Sequence, residues 1–454
     1  MRISAAQKKR RGRLFIACLC ALLFLFIPTK LPVSEFPVVR VVIDPGHGGL
    51  ELSPRERHGD RYDKISGTYL SDFRQGAYLG DLHEHEIVYS IAKKAKDILA
   101  GATPAGDFSR FEKIVGKYGK PKSRVYLDIM MSREEGLSEE EDMGEDPNAP
   151  YRLFDYPNAD GKMQLGRISR INAFKPHIVV SIHLALATDS EHKAMNPILA
   201  APYSMLMQGL RYLRKETSDR SFFYATPLQN WFVESTQRTA FGWFLSDTAQ
   251  YFTGHPIDEN RNISVFRGYR YNMVNWAYCD ALGWEEKAAL HKPYSPYSKS
   301  YMNVAPSGKF WDRERSEYEA FRRDGGEEGF GGDNCYASYE IIRYILASLK
   351  QNGGYHKSFS TGNPYVSIWL MPIHINAINA YFELGYLKRR QDRQMLTKRQ
   401  NEIAEGIAVG IYSLAVGLDV KESDFEYYPK GKKIDLEKYK ITSEKSYFDV
   451  VCEE

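Results

Sequence analysis

Cysteine is scarce in this sequence, with five residues among 454 and no Cys-x-x-Cys pair. Cys18 and Cys20 lie in an apolar run near the N-terminus, and we interpret them there as small apolar residues. The other three, Cys279, Cys335 and Cys452, form an odd and widely spaced set. Neither a disulfide framework nor a zinc site built from thiolates is therefore indicated, and a single disulfide stays open.

An excess of charge of one sign is also missing. Lysine and arginine number 61 against 58 aspartate and glutamate residues, which gives a formal net charge of +3. This balance gives no indication of a nucleic-acid partner or of a face that binds polyanions. Because 43% of the residues are hydrophobic, a chain of this length can bury a large core, and we expect a folded protein with no nucleic-acid partner.

The apolar run near the N-terminus, residues 14–28, is shorter than the roughly 20 residues that cross a bilayer comfortably. A basic cluster precedes it, formed by Lys8, Lys9, Arg10, Arg11 and Arg13. A basic region followed by a short apolar region is the order found in secretory signals. We interpret residues 1–36 as a signal peptide or an N-terminal membrane anchor, and we expect an exported protein of the periplasm or cell envelope.

Strand-like and helix-like segments alternate along the rest of the chain. Continuous β-branched or apolar runs predict buried strands, and apolar residues at helical spacing predict amphipathic helices. The predicted strands are 38–44, 124–133, 177–183 and 375–387, and the predicted helices are 86–99, 165–174 and 402–416. This alternation predicts an α/β fold in three layers, with a mostly parallel central sheet flanked by helices and interrupted by long insertions.

The largest predicted insertion spans about residues 185–365. Turn residues are frequent there, and five of the six tryptophans fall within it, namely Trp231, Trp243, Trp276, Trp284 and Trp311. These aromatic side chains suit the small core of an added subdomain, and they also suit stacking on sugars. Smaller insertions are predicted at 50–82 and 134–150. We interpret residues 37–454 as one catalytic domain that carries these insertions.

Two histidines stand at the ends of predicted buried strands. His47 follows the strand 38–44 in the turn Pro-Gly-His-Gly-Gly, and His183 ends the strand 177–183. In α/β sheets ligands gather at the carboxyl ends of the strands, so these two side chains are expected to converge. A catalytic zinc site needs three protein ligands and one open position, and two histidines with one glutamate form a recognised set.

Glu84 is the expected third ligand. It lies just before the amphipathic helix 86–99, where the positive end of the helix dipole favours an ionised carboxylate. His83, His85 and Glu86 are close enough in sequence to compete for the same role. The sequence therefore predicts one Zn²⁺ ion bound by His47, Glu84 and His183.

Four segments together resemble a known family. VVIDPGHGG, EHEIVYSIAKKAKDIL, RISRINAFKPHIVVSIH and FELGYL follow the order of motifs in the zinc-dependent N-acetylmuramoyl-L-alanine amidases. The resemblance covers residues 39–133, 164–183 and 375–418. It implies hydrolysis of the amide bond between N-acetylmuramic acid and L-alanine in peptidoglycan, with His47, Glu84 and His183 as zinc ligands.

The same resemblance assigns the proton transfer to Glu383. In that family a glutamate in a Glu-x-Gly-aromatic-Leu segment acts as general base or acid, and Glu383 in FELGYL takes that place. Arg133 and Arg167 match arginines of the family, and we expect them to hold strand ends and loops together. Some members carry an insertion whose helix covers the zinc until an activator removes it, so a regulatory lid and a protein activator stay open here.

Two other functions compete with the amidase. Two histidines, a glutamate ligand and a carboxylate base also suit a zinc peptidase or another metal amidohydrolase, although the motif His-Glu-x-x-His is absent. A catalytically silent protein that binds the cell wall is the alternative from a different class. The presence of Glu383 argues against the silent protein.

Overall fold

The computed structural model describes residues 36–49, 62–63, 68–69, 75–133, 149–186, 195–200, 330–362, 365–367, 375 and 377–436. Nearly all of the predicted signal segment, residues 134–148 of the predicted acidic loop and most of the aromatic-rich insertion lie outside these residues. Within the described part of the chain, no helix combines the length and apolar character needed to span a membrane.

The central sheet has six strands. They are β1 (Val38–Pro45), β2 (Tyr126–Met131), β3 (Ile178–Ala185), β4 (Asn196–Ala200), β5 (Tyr365–Ser367) and β6 (Ile378–Tyr386). Their order in the sheet is β5-β4-β6-β3-β1-β2. Strands β2, β1, β3 and β6 are parallel neighbours, while β4 runs antiparallel to β6 and pairs in parallel with β5. The predicted α/β fold with a mostly parallel sheet is confirmed.

Helices cover both faces of this sheet. The α-helices of the described residues are α1 (Glu84–Leu99), α2 (Phe108–Val115), α3 (Arg167–Phe174), α4 (Phe330–Gln351), α5 (Arg390–Lys398) and α6 (Gln400–Val416). Alternate residues of a strand point to opposite faces. Val41 and Ile43 of β1 accordingly join the core formed with α1, α4 and α6, whereas Val42 packs with Ile168 and Ile171 of α3.

Short structures fill the connections. Four pairs of two-residue strands are formed by Tyr62–Asp63 with Thr68–Tyr69, Tyr78–Leu79 with Leu82–His83, Lys120–Pro121 with Leu418–Asp419, and Tyr156–Pro157 with Met163–Gln164. Single 3-10 turns occur at Ala100–Ala102 and Ala149–Tyr151. The hairpin that ends at His83 leads directly into α1, so it fixes how the chain enters that helix.

Two elements inside the predicted insertion belong to the core. Strand β4 extends the central sheet, and α4 packs closely against α6. A Cβ atom at Gly406 of α6 would lie 2.4 Å from the Cα atom of Ile345 of α4, so glycine is what allows the two helices to approach each other. The predicted range 185–365 therefore includes pieces of the central fold, and its remainder stays a prediction.

Helix α4 also provides hydrogen-bond acceptors for the part of β6 that β4 does not pair with. Strand β4 pairs with β6 only near Phe382 and Glu383. Further back along β6, the backbone N–H of Asn379 donates to Asn334 Oδ1 at 2.8 Å, and that of Tyr381 donates to Ser338 Oγ at 3.1 Å. Buried N–H groups need such partners. These two side chains of α4 therefore fix the strand that carries Glu383.

Candidate metal centre

The carboxyl ends of β1 and β3 bring two histidines together. Pro45 at the end of β1 is opposite Ile182 of β3, and the N–H of Gly46 donates to the carbonyl of Ile182 at 2.9 Å. His47 follows directly, and its ring centroid lies 4.9 Å from that of His183. The convergence predicted from the strand ends is confirmed.

Glu84, the first residue of α1, completes the group. Its Oε1 lies 3.2 Å from His183 Nδ1 and 3.7 Å from His47 Nε2. One donor atom from each of the three side chains lies within 4.8 Å of the other two. The backbone N–H of Ala77 donates to Oε2 at 2.7 Å and that of Leu184 donates to Oε1 at 3.0 Å, so the carboxylate is held from both sides.

The electrostatics keep Glu84 ionised. Burial alone would raise the pKa of Glu84, but the charge of His47, the hydrogen bond and charge of His183 and the N–H of Ala77 together lower it to about 2. Two imidazole nitrogens and one ionised carboxylate form a donor set that suits Zn²⁺. Since 29% of the His47 side chain is exposed against 2% of that of Glu84, one side of the group is open to solvent. The three residues thus fit a metal ion at a site that solvent can reach.

His47 occupies a turn that two buried arginines hold. Its φ of 57° is in the left-handed region, which costs a residue other than glycine about 1 kcal/mol and persists where the surroundings enforce it. Arg133 donates to the carbonyls of Pro45 at 3.1 Å and Gly46 at 3.4 Å. Arg167 donates to the carbonyls of Pro45 at 2.8 Å and His47 at 3.4 Å. Both arginines therefore hold a strand end and its loop, as the sequence predicts.

Asp44 forms an ion pair with one of these arginines, Arg167. It is fully buried and accepts a hydrogen bond from Ser132 Oγ. Burial opposes ionisation of Asp44, yet Arg167, Ser132 and His183 outweigh it and lower the pKa of this carboxyl. Burial and the nearby charge of Arg167 lower the pKa of Arg133 to about 9, which leaves it charged at neutral pH. The turn thus rests on a buried network of charged groups.

Gly46 allows His183 to lie against this turn. A Cβ atom at position 46 would lie 2.3 Å from Cε1 of His183, closer than carbon atoms approach without a shift. We expect Gly46→Ala to displace the imidazole, to weaken metal binding and to lower the free energy of unfolding by about 1–3 kcal/mol. Chelator competition and thermal unfolding would measure both effects. Gly354→Ala is the matched control, because its Cβ would lie 3.2 Å from Cδ of Arg399 and 3.3 Å from Cδ2 of Leu349, distances that shifts of a few tenths of an ångström relieve. Equal behaviour of the two variants would contradict the prediction.

Glu383 lies beside the group formed by His47, Glu84 and His183. It is opposite His183 in the register of β6 and β3, and paired residues of neighbouring parallel strands point to the same face of a sheet. Its Oε2 is buried and has no hydrogen-bond partner among the described residues. Burial and the negative charge of Glu84 raise the pKa of Glu383 well above its ordinary value. Among the described residues, this carboxyl is poised next to the candidate metal centre without being one of its ligands.

Tyr381 is a neighbour of the site that the motifs did not single out. Its ring meets the ring of His183 edge to face at 4.6 Å between centroids, and the side chain is buried. The alternation of a strand places residue 381 on the same face as Glu383, which is the signal that identifies it. Tyr381 therefore supports the orientation of the imidazole of His183.

The residues that compete with Glu84 for the third ligand position lie outside the group formed by His47, Glu84 and His183. His83 stacks with Tyr78, and its ring centroid is 5.7 Å from that of His85. Glu86 is exposed on the first turn of α1. Neither histidine nor Glu86 belongs to the group whose donor atoms lie within 4.8 Å. His177 accepts a hydrogen bond from the N–H of Arg40 at 2.9 Å, and burial lowers its pKa to about 4, as suits a structural histidine.

Comparison with known proteins gives structural matches only. No family model matches the chain, and no curated protein sequence matches it. Solved structures that are similar to this chain include the N-acetylmuramyl-L-alanine amidase Ami1 of Mycobacterium abscessus, with 12% identity, a TM-score of 0.29 and coverage of 83% of this chain and 97% of that one.

Two further matches are of the same kind. The N-acetylmuramoyl-L-alanine amidase AmiC2 of Nostoc punctiforme has 13% identity and a TM-score of 0.30, and 82% of this chain and 95% of that one are covered. The CwlD amidase of Clostridioides difficile, solved in complex with the GerS lipoprotein, has 11% identity and a TM-score of 0.30, with coverage of 82% and 96%. Identities and TM-scores at this level do not by themselves assign an activity to this chain.

Proposed function

We propose that this protein is a zinc-dependent N-acetylmuramoyl-L-alanine amidase, which hydrolyses the amide bond between N-acetylmuramic acid and the L-alanine of the stem peptide in peptidoglycan. The observation that carries the proposal is the convergence of His47, Glu84 and His183 within 4.8 Å, with Glu383 opposite His183 on the neighbouring strand. The four motifs that resemble this family supply these four residues, one from each motif. Residues 37–454 are proposed to form the catalytic domain, and the N-terminal segment is proposed to direct export to the cell envelope.

Three residues would hold the zinc ion. His47, Glu84 and His183 provide the donor atoms, and the exposed side of His47 leaves room for water and substrate. A zinc ion bound there would polarise the amide carbonyl and make water easier to deprotonate. The buried network of Asp44, Arg133 and Arg167 would keep the His47 turn in place, so little reorganisation is needed when the metal or the substrate binds.

Glu383 would carry out the proton transfers. Its carboxylate takes a proton from the attacking water and delivers it to the amide nitrogen, which leaves poorly unless it is protonated. In the metal-free protein, burial and the negative charge of Glu84 raise the pKa of Glu383 well above its ordinary value. A nearby positive charge lowers the pKa of such a carboxyl and so favours the ionised form, which can accept a proton from water.

Digestion of purified peptidoglycan tests the proposal and separates it from the alternatives. An amidase releases free peptides with an alanine amino terminus and leaves the glycan uncut. A peptidase cuts within the peptides, and a protein that only binds the wall releases nothing. We expect mass analysis to show the first pattern, its loss after treatment with a chelator, and its recovery on addition of Zn²⁺. Cleavage within the peptides, or no release by the zinc-loaded protein, would refute the assignment.

A further inference from the structure

One side chain reaches both segments that carry the ligands. Arg133 donates to the carbonyls of Pro45 and Gly46, which precede His47, through Nε at 3.1 Å and Nη2 at 3.4 Å. Nη2 also donates to the carbonyl of His85, which follows Glu84, at 2.7 Å. A single guanidinium therefore links the turn after β1 to the first turn of α1, although residues 47 and 84 are far apart in sequence.

The surroundings of Arg133 keep it in this position. Its side chain is buried, and its guanidinium lies 5.2 Å from the ring centre of Tyr89 and 5.6 Å from that of Tyr151. Tyr89 belongs to α1, so this helix contacts the arginine through an aromatic ring as well as through the carbonyl of His85. A planar group with five donors in a fixed fork can hold several acceptors in a defined geometry, which a flexible ammonium group does not do.

We propose that Arg133 is a positioning residue of the metal site, which sets the spacing between His47 and Glu84 by binding the backbone of both ligand segments at once. It contributes no donor atom to the metal. This inference rests on the proposed metal site and goes beyond it. It explains how two ligands from separate parts of the chain are held at a fixed spacing before the metal binds. Interactions behind the ligands of metal sites typically change metal affinity by about 10- to 100-fold.

The direction in which zinc affinity changes when Arg133 is replaced separates this role from simple electrostatics. A buried positive charge repels a divalent cation, so removal of the charge of Arg133 would by itself strengthen zinc binding, and replacement with lysine would leave it unchanged. The bridging role predicts the opposite: Arg133→Met and Arg133→Lys both weaken zinc binding. Arg170→Met is the matched control, since among the described residues Arg170 donates to the carbonyls of Ser132 and Pro150 near the same segment.

The experiment is a competition titration of the metal-free proteins with Zn²⁺ against a chromogenic chelator. The wild-type protein is expected to bind one equivalent. Arg133→Met and Arg133→Lys are expected to bind about 10- to 100-fold more weakly, and Arg170→Met as tightly as wild type. Absence of stoichiometric binding by the wild type would refute the metal site itself. Wild-type affinity in a folded Arg133→Lys variant would refute the bridging role alone.

A second measurement is needed in case Arg133→Met folds poorly. Co²⁺ in place of Zn²⁺ gives a visible spectrum that depends on the geometry of its ligands. Arg133→Lys keeps the charge and much of the packing, so it is the variant most suited to this comparison. A changed Co²⁺ spectrum in the folded Arg133→Lys variant supports the positioning role, whereas a spectrum identical to that of the wild type overturns it.

Discussion

Replacement of Glu383 with glutamine should reduce the rate of amide hydrolysis by about 10²- to 10⁴-fold while zinc affinity stays close to that of the wild type. Glutamine has nearly the same shape, but it cannot accept the proton of the attacking water or return it to the leaving nitrogen. Glu383 is not among the three residues whose donor atoms converge. The two effects should therefore separate, with kcat falling and the metal still bound.

The measurement combines peptide release from purified peptidoglycan with a zinc competition titration. Glu422→Gln serves as the control, because it makes the same chemical change at an exposed position outside the site. A Glu383→Gln variant that keeps most of the wild-type rate would show that another group transfers the proton. Loss of zinc binding together with activity would instead point to a ligand role for Glu383.

Replacement of Glu383 by a group that does not titrate should also change the stability of the metal-free protein. Burial and Glu84 raise the pKa of Glu383 well above its ordinary value, so folding favours its protonated form. A carboxyl with a raised pKa in the folded state destabilises the fold as pH rises above its unfolded pKa. Glu383→Gln removes this penalty, in keeping with the general trade of stability for function at active sites.

The central fold could be predicted from local sequence patterns because its strands and helices carry their own signals. The run 38–44 predicts β1, observed as Val38–Pro45, and the spacing in 86–99 predicts α1, observed as Glu84–Leu99. Helix α4 lies within the predicted insertion and was not predicted as a helix, although Ile341, Ile345 and Leu349 recur at helical spacing. Its place in the core depends on contacts with α6 from a distant part of the chain.

The candidate metal centre was predictable from its side chains but not from the groups that support them. The rule that parallel strands converge at their carboxyl ends places His47 and His183 together before any coordinates are known. The N–H groups of Ala77 and Leu184 that hold Glu84 leave no trace in the sequence, since almost every residue has such a donor. The reach of Arg133 to two segments likewise depends on tertiary contacts that no spacing along the chain encodes.

Replacement of Glu84 with glutamine should abolish tight zinc binding and with it the hydrolysis of peptidoglycan. The change removes the anionic ligand of the group. It also disturbs the metal-free protein, because the N–H groups of Ala77 and Leu184 point at different carboxylate oxygens and an amide offers only one acceptor. An unpaired buried donor costs about 1–3 kcal/mol, so the free energy of unfolding should fall by a similar amount.

The stability difference between the wild type and Glu84→Gln should depend on pH in a defined direction. The pKa of Glu84 is lowered from its ordinary value of 4.5 to about 2 in the folded protein. The ionised carboxylate therefore stabilises the fold above about pH 4.5, and this contribution is lost as pH falls toward 2. Denaturant unfolding of both metal-free proteins across this range should show the difference shrinking on acidification.

Glu86→Gln, which changes an exposed glutamate in the same helical turn, should show neither the stability loss nor the zinc defect. If Glu86→Gln loses zinc while Glu84→Gln keeps it, the ligand assignment at the start of α1 is wrong, because only one of these two carboxylates can face His47 and His183.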